Sequence, residues 1–221
     1  MVKINELIYS NRKTIQLQIN NRGELVVRAP NKCPIKTIER FISQKEGWII
    51  ANQAKIHARE EKNSAIYDNF QIYLLGNIYD IVVCDIKHIT FEESICKFPS
   101  QFCDKFSHFV MLHYKKLAKQ FLPQRVEHFS AIIGQTPSKL RLSNTKGSWG
   151  ACNGRREVSL NWRLMMVGEE LIDYVVVHEL SHLLQMNHSS KFWKIVESVL
   201  PNYKVARMKL KRNDYLLNLY R

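Results

Sequence analysis

The sequence predicts an α+β fold in two parts: a mainly β N-terminal lobe with one helix over residues 1–100, and a helix-rich lobe with a β-hairpin over residues 101–221. Apolar residues alternate with polar ones through much of the first part, as they do in half-buried strands. In most of the second part they recur at helical spacing. With 221 residues, 45% of them hydrophobic, the chain is long enough to bury a core.

The N-terminal lobe is predicted to contain short strands around one helix. Ile15, Leu17 and Ile19 alternate with polar residues, and a turn at residues 21–23 leads to a second strand. Between residues 35 and 49 the apolar positions change to helical spacing, and Trp48 is the expected core residue of this helix. Further strands are expected at residues 71–75, 79–83 and 88–91.

The C-terminal lobe is predicted to begin with a long helix over about residues 102–132, which Pro123 should kink or interrupt. Residues 139–143 and 158–164 are strand-like, and the glycines between them predict a hairpin. This hairpin should provide an edge strand along which an extended peptide can bind. Two helices are expected after residue 190.

The stretch His178-Glu179-Leu180-Ser181-His182, followed by His188, carries the strongest chemical signal in the chain. Residues four apart lie on one face of a helix, so the imidazoles of His178 and His182 can converge on one metal ion, with zinc as the expected cofactor. Glu179 would lie beside the open coordination position, where it can act as a general base. The pattern therefore favours metal-assisted hydrolysis.

The third metal ligand is expected to be His188. On an unbroken helix this residue would point away from the first two histidines, so the chain must turn, and Asn187 is the expected left-handed helix terminator. Glu197 is the alternative third ligand, because zinc also accepts a set of two histidines and one glutamate. The glycine that metzincins have at this turn is replaced by Gln185.

The surroundings of this motif resemble the YgjP-like metallopeptidase family, which is akin to the SprT and WLM proteases. The resemblance rests on Trp149-Gly150-Ala151-Cys152, on residues 158–164 and 172–182, and on Met186-Asn187-His188-Ser189 with Phe192-Trp193. It implies a zincin-like C-terminal lobe, zinc ligation by His178, His182 and His188, and a catalytic glutamate at position 179. Where the family usually has an arginine just before the Trp-Gly pair, this chain has Lys146-Gly147-Ser148.

Three further residues are candidates for contacts with the substrate. Arg163 is a candidate for binding or polarising a substrate carbonyl. Tyr203 is a candidate for donating a hydrogen bond to a developing negative charge, because a phenol near a metal can act as an oxyanion stabiliser. Trp149 is a third candidate, and packing in the core is its alternative role.

The positive charge is concentrated in the second part of the chain. The net charge is +13, and residues 101–221 carry 19 Lys and Arg against nine Asp and Glu. In the last helix, Lys204, Arg207 and Lys211 share a face. Weak, non-specific nucleic-acid binding is therefore one expectation, and a solvated basic surface is the other.

Two alternative functions accompany the peptidase hypothesis. One is a nucleic-acid-associated protein, which the resemblance to SprT-like proteases extends to a protease acting on DNA-bound proteins. The other is a purely structural zinc protein, which would have no need of a base at Glu179. Five cysteines without paired spacing favour a reducing cytoplasm, and no apolar run is long enough for a membrane helix. The expected partners are protein or peptide substrates, with no membrane.

Overall fold

The computed structural model describes residues 2–20, 23–68 and 70–220, with only the backbone described over 58–68. The chain divides into two compact units, Met1–Ala65 and Ile66–Arg221. The sequence predicted a boundary at residue 100, but residues 71–99 belong to the second unit. The reason is packing, because Ile72, Cys96 and Phe98 are buried in the same apolar core as the long helix and the histidine motif.

The first unit is a small three-stranded sheet with two helices. Its strands β1 (Glu6–Ser10), β2 (Gln16–Ile19) and β3 (Leu25–Pro30) lie in the order β1-β3-β2, with β2 antiparallel and β1 parallel to β3. Helices α1 (Ile35–Gln44) and α2 (Glu46–Asp68) follow. Ile49 is buried, whereas Trp48 is 47% exposed, so the prediction of a core tryptophan was wrong. Asn21 and Arg22 of the predicted turn lie outside the described residues.

The second unit begins with a four-stranded sheet whose order is β4-β5-β7-β6. Its strands are β4 (Gln71–Leu74), β5 (Asn77–Cys84), β6 (Thr90–Glu92) and β7 (Ile95–Pro99). A 3-10 turn at Ser100–Lys105 leads into α3 (Phe106–Ile133). This helix continues through Pro123, contrary to the predicted kink or interruption, because Leu122 and Val126 bury apolar surface on both sides of the proline and offset its missing hydrogen bond.

A second sheet of this unit lies beside the histidine motif. Strands β8 (Lys139–Ser143), β9 (Gly150–Cys152) and β10 (Glu157–Asn161) have the order β8-β10-β9. The predicted hairpin between the first and last of these strands was wrong, because β8 and β10 pair in parallel. The hairpin joins β9 to β10 instead, and β9 is the edge strand on that side of the sheet.

The chain ends in a group of helices that surround the motif. After a 3-10 turn at Trp162–Met166 come α4 (Glu169–Ser181), α5 (Ser190–Val199) and α6 (Tyr203–Arg212), followed by a last 3-10 turn at Asp214–Asn218. Helix α4 runs through the core, with Leu171, Ile172, Val176 and Leu180 buried. Among the described residues, none of the helices combines the length and apolar character needed to cross a membrane.

Candidate active site

Helix α4 positions the first histidine and the glutamate of the motif. Its first turn carries Glu169 and Glu170, which suit the positive end of a helix dipole. The helix buries Val175, Val176 and Val177 just before it reaches His178. Their packing fixes the rotation of the helix about its axis and its position along that axis. The carboxylate of Glu179 is thereby held inside the protein, with 6% of the residue exposed.

The structure brings the three histidines of the motif together. One ring nitrogen of each of His178, His182 and His188 lies within 4.8 Å of the others, and the Nε2 atoms of His178 and His188 are 3.1 Å apart. His182 is the C-cap of α4 and retains right-handed helical geometry. Its Nδ1 donates a hydrogen bond to the Gln185 carbonyl at 3.2 Å, which leaves its Nε2 free for a ligand.

The turn that returns His188 to the helix differs from the predicted one. Asn187 is absent from the residues with positive φ, so it does not end the helix in a left-handed conformation. Instead its side-chain carbonyl accepts hydrogen bonds from Gln185 Nε2 at 2.8 Å and from the Ser189 backbone N–H at 3.2 Å. The side chain of Asn187 closes the turn in the way that short polar residues commonly stabilise turns.

An aromatic wall of Phe192, Trp193 and Tyr203 supports the histidines. The Phe192 ring lies 4.6–4.9 Å from all three imidazoles, measured between ring centroids. Trp193 stacks on His188 at 5.7 Å and on Tyr203 at 5.3 Å. Because His188 itself is exposed, this wall is its main source of orientation.

The pKa values of His178 and His182 are shifted in the direction that favours metal binding. Burial, with the neighbouring His182 and His188 and with Arg207, lowers the pKa of His178 to about 3. Burial also lowers the pKa of His182. Both rings are therefore neutral at pH 7, which is the form that binds metals. Burial raises the pKa of Glu179 to about 8, and a cation beside this carboxyl would stabilise its charged form.

Strand β9 lies directly against the glutamate. A Cβ atom at Gly150 would stand 2.7 Å from both Cγ and Oε1 of Glu179, closer than real Cβ contacts allow. Gly150 also lines a cavity of about 160 Å³ with Trp149, Tyr174, Val175, His178, Glu179 and Leu210. Only a residue without a side chain permits the edge strand to approach the carboxyl so closely.

Two of the expected substrate-binding residues have contacts that favour an architectural role. Arg163 is 1% exposed, and its guanidinium donates to the Leu219 carbonyl at 2.9 Å and to Asn144 Oδ1 at 2.7 Å. These bonds tie the C-terminal segment to the core. Trp149 borders the cavity, but its indole N–H donates to Asp214 Oδ1 at 2.8 Å, so the ring is anchored in the protein.

The remaining substrate-binding candidate, Tyr203, and the alternative metal ligand, Glu197, both lie apart from the three histidine nitrogens. Tyr203 lies in the aromatic wall and lines a different cavity, together with Leu200 and Pro201. Glu197 is an exposed residue of α5 and is not part of the group of side chains, among the described residues, that could hold a metal ion. His188 therefore lies closer to the other two histidines than its rival does.

The sequence reasoning missed two residues that lie beside His178 and Glu179. Tyr174 precedes His178 by four residues, so both side chains lie on one face of α4, and the two rings are 5.9 Å apart. The helical spacing that paired His178 with His182 could have revealed it. Gly150 carried no such signal, because its importance depends on the register of β9 against α4.

The side chains present fit a metal ion. Ligand atoms about 2.0–2.1 Å from a tetrahedral zinc lie roughly 3.3 Å from one another. The two Nε2 atoms that face each other across 3.1 Å match this spacing closely. Three neutral imidazoles are a donor set that zinc accepts, and three protein ligands leave a fourth position for catalysis.

Comparison with known protein families gives a match over nearly the whole chain. The family described as YgjP-like, metallopeptidase domain, matches residues 13–213, nearly the whole chain. The chain belongs to this family. Its coarse activity is therefore that of a metallopeptidase, a hydrolase that acts on protein or peptide substrates.

Two further comparisons add little to the family match. No curated protein matches the chain. Among solved structures, it is similar to the metallopeptidase zymogen of Pyrococcus abyssi abylysin, with 26% identity and a TM-score of 0.40, over 42% of this chain and 94% of that one.

Proposed function

We propose that this chain is a zinc-dependent peptidase in which His178, His182 and His188 bind the ion and Glu179 is the general base. The observation that carries the proposal is the convergence of three histidine nitrogens within 4.8 Å, with a buried glutamate next in sequence to the first of them. A zinc ion there would supply Lewis acidity toward the scissile carbonyl and the attacking water.

Glu179 performs the proton transfers in this proposal. Its carboxylate accepts a proton from the attacking water and later gives that proton to the leaving amine. Burial raises the pKa of this carboxyl to about 8, and the charge of a bound ion would favour the ionised form that accepts the proton. Gly150 restricts the carboxyl on the side of the edge strand, so its position is set by the backbone of β9.

Strand β9 is the proposed docking edge for the peptide. The Asn161 N–H donates to the Trp149 carbonyl at 2.8 Å, and the Asn153 N–H donates to the Glu157 carbonyl at 3.1 Å. In an antiparallel ladder this alternation leaves the N–H and C=O groups of Gly150 and Cys152 facing away from β10. An extended substrate that pairs with this edge would lie alongside Glu179.

The test is Glu179→Gln, which removes the base and preserves the size of the side chain. We expect the zinc content to stay at one ion per chain. The kcat on unfolded protein or peptide substrates should fall about 100- to 10,000-fold. Glu197→Gln is the matched control, because it makes the same change at an exposed position of α5. A zinc-loaded Glu179→Gln protein with unchanged turnover would refute the mechanism.

A further inference from the structure

One tyrosine borders the cavity beside His178 and Glu179, and its hydroxyl has no protein partner among the described residues. Tyr174 lines this cavity together with His178, Glu179 and Gly150. Among the described residues, no hydrogen-bond partner is found for its hydroxyl. A largely buried phenol normally has a partner for its O–H group, so a free one that borders the cavity beside Glu179 is suited to bind a ligand.

The electrostatic surroundings of Tyr174 keep it a donor. Burial raises its pKa, the positive charge of Arg207 opposes that shift, and the charge of Glu179 adds to it. The phenol therefore retains its proton at neutral pH. A negative charge that develops on a substrate oxygen in the cavity would meet an O–H donor there.

Tyr203, the phenol that the sequence suggested for this role, is placed differently. Its ring stacks on Trp193 with an angle of 14° between the planes, and it borders a separate cavity with Leu200 and Pro201. Tyr174 instead shares one helix face with His178, one turn before it. Of the two phenols, Tyr174 is the one that shares a cavity with Glu179.

We infer that Tyr174 is a further catalytic residue, whose phenolic O–H donates a hydrogen bond to the scissile carbonyl oxygen as that oxygen becomes negative. The inference rests on the proposed function. Tyr174 keeps its proton throughout, so the water proton still passes to the leaving amine through Glu179. The bond strengthens as charge accumulates on the oxygen, and it therefore stabilises the transition state more than the ground state.

The experiment compares Tyr174→Phe with Tyr203→Phe. Each change removes one hydroxyl and preserves the ring and its packing. For Tyr174→Phe we expect kcat to fall about 100- to 1,000-fold, as it does when one oxyanion donor is lost, with KM changed little. The affinity for a phosphinic peptide, which mimics the tetrahedral transition state, should fall with kcat/KM, while zinc affinity stays that of the parent. Tyr203→Phe should lose less kcat than Tyr174→Phe. Tyr9→Phe, which removes a hydroxyl at an exposed position of β1, is the control and should keep kcat within about twofold of the parent.

The outcomes separate this inference from the proposed function. Unchanged kcat in Tyr174→Phe would overturn it, and so would a fall in kcat that is matched by loss of zinc, which would mean that the hydroxyl supports the metal site. A large fall in Tyr203→Phe alone would transfer the role to Tyr203. Parallel assays of Glu179→Gln decide the proposed function independently, because that variant loses turnover whether or not Tyr174 participates.

Discussion

The two ends of the histidine cluster are held in place by different means. His178 and Glu179 lie in α4, where buried apolar neighbours fix the helix and 6% of Glu179 is exposed. His188 is an exposed residue of a turn, held by contacts with Phe192 and Trp193. Glu179 and the first histidine are therefore positioned by the core, whereas the third histidine depends on a local aromatic contact.

The largest effects are expected from removing the histidines themselves. Loss of a residue that orients a metal ligand typically weakens metal binding roughly 10- to 100-fold. His178→Ala and His188→Ala each remove a proposed ligand itself, so each should weaken zinc binding by more than that. His178→Ala should also lower the free energy of unfolding of the apo protein, because it leaves a void beside Phe192 in the core. His188→Ala should leave that stability close to the parent value, since the residue is exposed.

Zinc titration against a competing chelator and denaturant unfolding of the apo proteins measure the two quantities. Glu197→Ala is the control, and it should bind zinc as the parent does. Full zinc affinity in His188→Ala, combined with loss of zinc in Glu197→Ala, would show that the third ligand is Glu197. Equal stability loss in both histidine variants would contradict the contrast between the two ends of the cluster.

The second largest effect is expected at the buried end, from Gly150→Ala. The added Cβ would stand 2.7 Å from the Glu179 carboxyl and must displace it. A misplacement of about 1 Å can cost about 100-fold in rate, so we expect kcat to fall by that order while zinc binding is retained. Gly154→Ala is the matched control, because nothing lies within 4 Å of the Cβ it would add. Unchanged kcat in Gly150→Ala would show that the carboxyl tolerates movement.

The sequence predicted those parts of the site that depend on local spacing. Residues four apart on a helix must share a face, so the meeting of His178 and His182 followed from the pattern alone, and Tyr174 could have been found by the same rule. Gly150 could not, because its contact with Glu179 depends on how a strand and a distant helix pack. The hydrogen bonds of Arg163 could not be predicted for a similar reason, since its partners at Leu219 and Asn144 are distant in sequence.

The fold shows the same division between local and non-local information. The alternation at Ile15, Leu17 and Ile19 and at Leu25 and Val27 predicted a hairpin, and the structure pairs β2 with β3 in antiparallel orientation. The parallel pairing of β8 with β10 was missed, because the intervening loop contains β9, which takes the place of the expected hairpin partner. The division at residue 65 was also missed, since it depends on which core buries the strands of residues 71–99.

A smaller effect is expected at the exposed end, from Trp193→Leu. Trp193 stacks on His188 and lies under the guanidinium of Arg207, whose carbon is 4.8 Å from the ring centroid. Loss of the indole should let His188 move and weaken zinc binding about 10-fold, the smallest effect typical of removing a residue that orients a metal ligand. Once zinc is saturating, kcat should recover, because Glu179 is held elsewhere. Trp48→Leu, in the other compact unit, is the control.

Zinc titration measures the affinity of Trp193→Leu for the ion, and an assay at saturating zinc measures its kcat. If Trp193→Leu lowers kcat as strongly as Gly150→Ala does even when zinc is saturating, the aromatic wall also positions the reacting groups. The two ends of the cluster would then not be independent.

The smallest effect on catalysis is expected from Arg163→Met, which lies outside both ends of the cluster. The guanidinium is buried over the Trp162 ring and donates to backbone carbonyls of the C-terminal segment. Loss of one hydrogen bond from a charged group costs about 1.5–3 kcal/mol, so the free energy of unfolding should fall by at least that amount. The kcat per zinc-loaded, folded molecule should stay within about twofold of the parent, because Arg163 contributes no atom to the cavity beside Glu179. Stability is measured by denaturant titration, and kcat is normalised to bound zinc. A loss of kcat/KM without a loss of stability would restore the substrate-binding role that the sequence suggested for this arginine.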